Sequence, residues 1–381
     1  MANSLDINEI INNSDYDLCH LLSDAYPGLN GNNDMNDCDE NILENVNSLY
    51  YNIDDLCARR SDLLKYNMNV IHLNISSLPA HFDQLKLVLS QFDAQNIQFD
   101  CILLCETSLN DNNCDMFDIP SYHKLVSRHR RHTTRGGVAI YVNNRYTFNI
   151  RDDLAMYDEH IFESIVVEVS KAGKTFLIGE VYRVPNSNNA QCLNYYETVV
   201  SRMVAENKTT VIGTDQNYDY INISHGPTHD LLDVFFASGM APVISRPTRI
   251  TDRTATLIDN LYVNNTQLDK FTSGILTLDL SDHFAVYVSV GEYYQGKNDK
   301  APLTFTYRPL DDSAICAVRS LLNCTDCKNW IPGPKNLYKN RLPNEADVIF
   351  TITNNENFIF YWRPYWINIK SMQAASSRTN I

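Results

Sequence analysis

Short apolar runs of strand length are the feature that most constrains how this 381-residue chain can fold. Between residues 67 and 290 these runs are rich in Val, Ile and Tyr, and polar, Gly, Pro or Asn residues bound each of them, as is typical of β-strands. Eight strands are therefore predicted, at 68–74, 100–106, 137–142, 163–169, 175–182, 210–214, 256–263 and 283–290.

Three segments between these runs repeat their apolar residues with helical spacing. In the segment 80–92, Phe82, Leu85, Leu89 and Phe92 fall on one stripe, and 190–206 and 229–239 have a similar pattern. Many strands with a few helices, not in strict alternation, predict an α+β or layered α/β sandwich.

Composition divides the chain into three parts. Residues 1–66 are rich in Asn and Asp, so they offer little apolar surface to bury, and we expect an acidic, mostly flexible leader. A short helix between Ile42 and Leu64 is the alternative. We expect one domain at 67–292 and a tail at 293–381 to which no role is assigned, although it carries a dense aromatic run at 358–366.

The formal net charge of −15 argues against a protein that coats nucleic acid, because attraction to phosphates dominates such binding. A local basic patch can still serve a nuclease. The one strongly basic run before the tail lies at 127–137, and it is interpreted either as a flexible DNA-binding arm or as a solvated loop. Its arginines are Arg128, Arg130, Arg131 and Arg135.

Targeting patterns favour an intracellular protein. Residues 1–10 lack the charged and apolar regions of a signal peptide, and no apolar run approaches the roughly 18 residues that a membrane span needs. The ten cysteines show no disulfide framework, so free thiols in a reducing compartment are expected. Cys324 and Cys327 form a lone pair without a second pair at zinc spacing.

Polar side chains end several of the predicted strands. Asn74 follows the first strand, where it could hydrogen-bond a phosphate or simply start a turn. Glu106 emerges from an almost wholly apolar run, which is unfavourable unless the carboxylate is paired or binds a cation. Glu106 is therefore the best metal-ligand candidate. Asp215 and Asn217 lie two apart, so on extended backbone they would face the same side, with an Asx-rich turn as the alternative.

A second group follows from Ser281-Asp282-His283, which opens the last apolar run. Asp259 lies inside an apolar run, where a carboxylate needs a partner, and His283 is a natural one. Such a pair would fix the tautomer of the imidazole, or would serve only as a structural hydrogen bond. Asp282 is a further candidate contact to metal or water. Tyr182, at the end of another strand, could reach a phosphate oxygen. Together these strand ends predict a metal-assisted site for phosphodiester cleavage.

These residues, in this order, resemble the endonuclease/exonuclease/phosphatase superfamily. The resemblance is to the apurinic-type endonuclease domain of non-LTR retrotransposons of the jockey and chicken-repeat kind, and it covers about residues 67–290. The matching stretches are His72–Leu78, Leu103–Leu109, Gly136–Val142, Val181–Asn186, Pro247–Thr251, Thr256–Asn260 and Ser281–His283.

The resemblance implies an α+β fold, a four-layered α/β/β/α sandwich of two mainly antiparallel sheets with the active site at one end. It implies nicking of DNA to leave a 3′-hydroxyl that primes reverse transcription. Mg²⁺ would be the cofactor, with Mn²⁺ as an alternative, and DNA the partner, together with a reverse transcriptase encoded elsewhere in the element. A site of action in the nucleus follows, although the sequence shows no clear targeting signal.

Carried over by position, the resemblance gives each residue a role. Glu106 would bind the metal with Asn74 beside it, Asp215 would polarise the water or protonate the leaving group, and Asn217 would orient it. The remaining expectations are that the Asp259–His283 pair contacts the scissile phosphate with support from Asp282, that Tyr182 touches phosphate, and that Thr248 lines the DNA-facing surface.

The chain departs from the family pattern at two places near Asp215. The usual Gly-Asp-Phe-Asn is Thr214-Asp215-Gln216-Asn217 here, and losing the Phe is expected to cost about 1–3 kcal/mol and to loosen the loop. The sequence also lacks the Tyr-x-Asp-Asp motif of a reverse transcriptase. Two alternatives therefore stand beside the endonuclease, namely a phosphatase of the same superfamily and a catalytically weak remnant that keeps only the fold.

Overall fold

The computed structural model describes residues 10, 13–25, 46, 48–133, 135–264 and 271–291. Its helices are a 3₁₀ turn at Ser14–Tyr16, α1 (Leu18–Ala25), α2 (Ile53–Ala58), α3 (Arg60–Leu63), α4 (Leu78–Ala94), α5 (Asn189–Ala205) and α6 (Gly226–Ala237). Its strands are β1 (Tyr50–Tyr51), β2 (Met68–Asn74), β3 (Cys101–Cys105), β4 (Val126–Arg128), β5 (Val138–Val142), β6 (Thr147–Ile150), β7 (Tyr157–Asp158), β8 (Phe162–Lys171), β9 (Lys174–Arg183), β10 (Thr209–Asp215), β11 (Met240–Pro242), β12 (Arg249–Ile250), β13 (Ala255–Thr256), β14 (Asp259–Asn264), β15 (Phe271–Leu276) and β16 (Ala285–Val290).

Two large sheets face each other, and their central strands, such as β2, β3 and β5, are buried on both faces. The first sheet has the order β1-β15-β16-β2-β3-β5-β4, and the second has the order β11-β14-β10-β9-β8-β6, with β7 paired to β8. Strand β2 illustrates the burial: Val70 packs in the core between the sheets, whereas Ile71 and Leu73 pack in the core under the outer helices. Alternate residues of one apolar strand therefore serve two cores.

Helices cover the outer face of each sheet. Helix α4 buries Leu85, Leu89 and Phe92 against the first sheet, and the hydroxyl of Ser77 accepts from a backbone N–H at its N-terminus. Helices α5 and α6 cover the second sheet, where Tyr196 and Phe235 meet edge to face. The result is a four-layered α/β/β/α sandwich of two mainly antiparallel sheets, so the predicted fold class is confirmed.

The predicted strand at 256–263 is interrupted in the structure. Strand β13 ends at Thr256 and β14 begins at Asp259. The carbonyl groups of Leu257 and Ile258 accept instead from the backbone N–H groups of Tyr220 and Gln216, at 3.0 and 2.9 Å. The two residues thus fasten the loop that follows β10, a role that their apolar character does not indicate.

The described residues before Asn67 pack onto the domain, although the sequence predicts a mostly flexible leader at 1–66. Strand β1 pairs in parallel with β15 and extends the first sheet. Leu18 and Leu22 of α1 lie in the core, and Leu56 of α2 is fully buried. A few well-placed leucines therefore anchor a segment whose average composition is polar.

The remaining expectations concern the C-terminal tail, membrane spans and the cysteines. The tail at 293–381, with Cys324 and Cys327, lies outside them. Within them, no helix is both long enough and apolar enough to cross a membrane. The described cysteines are free thiols: Cys19, Cys57, Cys101, Cys105, Cys114 and Cys192.

Replacing Leu56 by Ala tests whether the segment before Asn67 belongs to the domain. Because Leu56 has no exposed surface, we expect Leu56→Ala to lower the free energy of unfolding by about 2–5 kcal/mol. Leu64, which is 54% exposed, is the matched control, and Leu64→Ala should change it by less than about 0.5 kcal/mol. Urea unfolding measures both, and equal small effects would contradict the packing described above.

Candidate active site

Strand direction gathers the polar strand ends at one edge of the sandwich. In the first sheet β2 and β3 run parallel, so Asn74 and Glu106 emerge side by side. In the second sheet β9 and β10 run parallel, with Tyr182 opposite Asp215, and β14 runs the other way, so its first residue Asp259 also lies opposite Asp215.

Asn74 joins the two sheets at this edge. Its side-chain Nδ2 donates to Glu106 Oε1 at 3.0 Å and to Asp215 Oδ2 at 2.8 Å, and its Oδ1 accepts from the backbone N–H of Ser76 at 3.0 Å. One buried amide therefore holds a carboxylate from each sheet. Asn74 is 1% exposed and Asp215 is fully buried, whereas Glu106 is partly exposed.

Tyr182 completes the surroundings of Glu106. Its hydroxyl donates to Glu106 Oε1 at 3.0 Å. Burial raises the pKa of Tyr182 well above its usual value, and the nearby Glu106 and Asp215 carboxylates raise it further. The phenol therefore stays protonated and acts as a hydrogen-bond donor.

Asp259 and His283 form the pair that the sequence predicts. The His283 Nδ1 lies 2.9 Å from Asp259 Oδ2 and 3.1 Å from Oδ1. His283 precedes β16 instead of opening it, and the Ser281 hydroxyl fixes this turn by accepting from the His283 backbone N–H and donating to the Asn74 carbonyl. Ligand atoms of Asp215, Asp259 and His283 lie within 4.8 Å of one another.

The Asp259–His283 contact is an ion pair. Burial acts to lower the pKa of His283, but Asp259 outweighs it and raises this pKa to about 9. Burial likewise acts to raise the pKa of Asp259, yet His283 holds it below its usual range. A protonated imidazole next to a reacting phosphate would supply positive charge where negative charge develops.

Asp215 and Asn217 differ in their surroundings. Burial raises the pKa of Asp215 to about 7, and the charge of Asp259 adds to this effect. The backbone N–H of Asn217 donates to Asp215 Oδ1 at 3.2 Å, while its side-chain amide donates to the Arg183 carbonyl at 2.8 Å. Asn217 has a left-handed φ of 49°, so the extended backbone assumed for this pair is wrong.

Left-handed backbone recurs around the site. Glu106, Ser76 and Ser108 have φ values of 49°, 53° and 55°, although none of them is glycine. Each such residue costs on the order of 1–3 kcal/mol, and strain of this kind concentrates at functional sites. The hydrogen bonds of Thr107 and Ser108 to the carbonyl groups of Gly137 and Gly136 hold the chain in this shape.

The donor set around Glu106 and Asp215 fits a divalent cation. The side-chain and backbone groups that donate to these carboxylates are neutral: Asn74 Nδ2, Tyr182 Oη and the Asn217 N–H. Two neighbouring carboxylates without a cationic donor are costly in a buried setting. Mg²⁺ takes oxygen ligands, commonly one or two carboxylates with water in the remaining positions.

Two predicted site residues lie outside this cluster. The Asp282 carboxylate is half exposed and accepts from the Arg249 guanidinium at 2.6 and 2.8 Å. Thr248 is fully buried, so its assignment to a DNA-facing surface is wrong. Its hydroxyl donates to Asp259 Oδ2 at 2.6 Å, and its role is to orient that carboxylate.

The basic run does not form a free arm along its whole length. Arg128 is ion-paired with Asp152, and Arg130 with the buried Glu163, so the DNA-binding assignment of these two arginines is not supported by their contacts. Arg130 also packs on Gly136, where a Cβ would lie 2.4 Å from its guanidinium. The side chains of the other two arginines of this run are exposed: Arg131 and Arg135.

Sequence reasoning missed two buried charged residues next to the site. His72 and Glu180 face each other between the sheets, with Nδ1 3.0 Å from Oε2. Burial acts to lower the pKa of His72, but Glu180 and Asp259 raise it to about 10. The signal was present, because both residues interrupt apolar strands, as Asp259 does.

Thr214 and Gln216, the two residues that depart from the family pattern, are hydrogen-bonded to each other. The Thr214 hydroxyl donates to Gln216 Oε1 at 2.8 Å, and Tyr262 donates to the same oxygen at 3.1 Å. Gln216 Nε2 donates to the Tyr218 carbonyl at 3.4 Å. Both residues are fully buried. A hydrogen-bonded polar network therefore takes the place of the apolar contact that the family pattern provides.

A double-mutant cycle tests this network. We expect Thr214→Val and Gln216→Met each to lower the free energy of unfolding by about 1–3 kcal/mol, because each leaves a buried partner unsatisfied. The pair should show a coupling energy above about 0.5 kcal/mol. Thr210→Val is the control, because Thr210 lies in the same strand and its hydroxyl donates to the Lys208 carbonyl, away from Gln216; it should be additive with Gln216→Met. Additivity of Thr214→Val as well would contradict the network.

Comparisons with known proteins find similarity only at the level of structure. No family model matches the sequence, and no curated protein matches it. The endonuclease domain of TRAS1, a telomere-specific non-LTR retrotransposon, is 14% identical with a TM-score of 0.47, covering 58% of this chain and 98% of that chain. The AP endonuclease LMAP from Leishmania major is 12% identical with a TM-score of 0.48, covering 71% and 99%.

A third solved structure, the mannosyl-6-phosphatase Bt3783 from Bacteroides thetaiotaomicron, is 15% identical with a TM-score of 0.44, and the match covers 59% of this chain and 99% of that chain.

Proposed function

We propose that this chain belongs to the endonuclease/exonuclease/phosphatase superfamily and is a divalent-metal-dependent endonuclease that nicks DNA to leave a 3′-hydroxyl. The observation that carries the proposal is the bridge from Asn74 to Glu106 and Asp215, with the Asp259–His283 ion pair beside it. Hydrolysis of a phosphodiester needs an oriented water, a group that manages its proton, and positive charge at the phosphoryl oxygens.

The cluster provides a residue for each of these three requirements. Asp215, with its pKa raised to about 7, can exchange a proton with the water or the leaving oxygen. Asn217 fixes the loop behind it. His283, held protonated by Asp259, donates from Nε2 to a phosphoryl oxygen, and Tyr182 supplies a neutral O–H donor.

Glu106 would hold the metal ion, with Asn74 orienting its carboxylate. Mg²⁺ is the ion that this oxygen-rich set suits, and Mn²⁺ would substitute for it. When bound, the ion supplies charge neutralisation at the phosphoryl and leaving oxygens. We further propose that a reverse transcriptase encoded elsewhere in the element uses the product 3′-hydroxyl as its primer, in the nucleus.

The exposed Arg131 and Arg135 are proposed as contacts to the DNA backbone. With two phosphate contacts, the affinity of the protein for DNA should fall about tenfold between 50 and 200 mM salt. Asp282 is proposed to act only through Arg249, since that guanidinium takes up its carboxylate.

Nicking of supercoiled plasmid in Mg²⁺ tests the proposed function. We expect wild-type protein to nick, and Asp215→Asn and His283→Ala to lower the rate by at least about 100-fold. Asp219→Asn is the matched control, because this carboxylate caps the backbone N–H groups of Ile221 and Leu257 in the same loop and lies outside the cluster. It should nick at close to the wild-type rate.

Resealing of the nicked plasmid by DNA ligase without prior phosphatase treatment would identify a 3′-hydroxyl end. Equal nicking by wild type and both site variants would refute the assigned residues. Release of phosphate from a phosphomonoester without any nicking would favour the phosphatase alternative, and a folded protein inactive on both substrates would favour the remnant.

A further inference from the structure

His72 and Glu180 form a buried, hydrogen-bonded pair of ionisable side chains between the two sheets that the proposed reaction does not use. Both side chains are fully buried, and His72 Nδ1 lies 3.0 Å from Glu180 Oε2. Each residue comes from the central part of its sheet, His72 from β2 and Glu180 from β9. The pair therefore spans the core directly beneath the polar edge.

The pair reaches the candidate site through Asp259. His72 Nε2 lies 3.6 Å from Asp259 Oδ1, and the same oxygen lies 3.1 Å from His283 Nδ1. Two imidazole rings thus flank one carboxylate. His72 Nδ1 is within hydrogen-bond distance of Glu180, whereas Nε2 has no hydrogen-bond partner among the described residues and faces Asp259 at ion-pair distance.

Packing alone does not account for these residues. A buried ion pair stabilises a fold no better than well-packed apolar side chains of similar volume. The neighbouring strand also makes room for the pair, because a Cβ at Gly213 would lie 2.7 Å from Glu180 Oε2 and 3.2 Å from His72 Cβ. Gly213 is two residues before Asp215, so the same strand accommodates the pair and carries the candidate acid.

We propose that Glu180 and His72 form a positioning dyad, in which Glu180 holds the His72 ring and His72 fixes the carboxylate of Asp259, which in turn orients His283. The inference rests on the proposed phosphodiester-cleaving function of His283. Asp259 is then held from three sides, by Thr248 before β12, by His283 before β16 and by His72 on β2.

Replacing both members of the dyad by apolar residues tests the proposal. The double variant His72→Leu/Glu180→Leu leaves no unpaired charge in the dyad, so the protein should remain folded. We expect kcat for plasmid nicking to fall about 10- to 100-fold, the effect typical of residues that orient a functional group, with little change in KM. His72→Gln, which can still donate toward Asp259, should recover most of kcat.

Two further variants test whether a lower kcat comes from misfolding or from loss of any ion pair. Glu180→Gln keeps the volume and removes the charge, so it tests the dyad even if the double variant fails to fold, and its kcat should also fall. Lys171→Met/Asp100→Asn removes a partly buried ion pair between the last residue of β8 and the residue before β3, where Nζ lies 2.6 Å from Oδ2. This control should leave kcat unchanged.

An NMR measurement on His283 tests the dyad independently of DNA nicking. In wild-type protein with ¹⁵N-labelled histidine, the Nδ1–H of His283 should give a protected resonance, assigned by its loss in His283→Gln. The double variant should broaden or shift it, and His72→Gln should restore it. If wild type fails to nick any DNA yet this resonance responds, the positioning dyad stands and the proposed function fails.

Three results would overturn the dyad. The first is an unchanged His283 resonance in a folded double variant or in Glu180→Gln. The second is wild-type kcat in either variant when wild-type protein nicks. The third is a stoichiometric transition metal in purified wild type that the double variant lacks, because His72, Cys105 and Glu180 have ligand atoms within 4.8 Å of one another and would then be a metal site.

Discussion

The side-chain amide of Asn74 is the contact on which the site depends. It lies at the end of β2 and donates to one carboxylate of its own sheet, Glu106, and to one of the facing sheet, Asp215. Because both acceptors are fixed at strand ends, the amide sets the distance between the two sheets at this edge. Charge-assisted hydrogen bonds of this kind are stronger than neutral ones, and burial strengthens them further.

Charge is distributed unevenly across this edge, and the uneven distribution gives the residues their roles. On one side Asp259 lies between two imidazolium rings, His283 and His72, so its negative charge is compensated. On the other side, the described groups that donate to Glu106 and Asp215 are neutral, and the nearest His283 nitrogen lies within 4.8 Å of the Asp215 carboxylate without donating to it. The first side is suited to present a fixed positive group to a phosphate, and the second is suited to attract a cation.

Much of the fold and part of the site could be predicted from the sequence. Strand β2 was bounded correctly because an apolar run ending in Asn has few other interpretations, and the pairing of Asp259 with His283 followed from the cost of a lone buried carboxylate. Glu106 and Asn74 are brought together because β2 and β3 run parallel, and no local sequence pattern indicates that direction. Thr248 was placed wrongly because its position was carried over from the family resemblance alone, whereas tertiary packing buries it beside Asp259.

Other features could not be read from the sequence because they depend on contacts between distant segments. Thr214 and Gln216 were interpreted as defects, since each was compared with the family pattern alone. Their mutual hydrogen bond depends on the turn after β10, which Ile258 helps to fasten. The segment around Leu56 was judged by average composition, although a few buried side chains decide whether it packs.

Binding of Mg²⁺ to the Glu106 and Asp215 carboxylates tests the central claim most directly. An ion that binds only the folded protein raises the free energy of unfolding, by about 2.7 kcal/mol when its concentration is 100 times Kd. Urea unfolding with and without Mg²⁺ should show such a rise in wild type and in the control Glu168→Gln, whose carboxylate pairs with Arg151 and Lys208 away from the site. The rise should be absent in Glu106→Gln. An equal rise in Glu106→Gln, or none in wild type, would contradict the account.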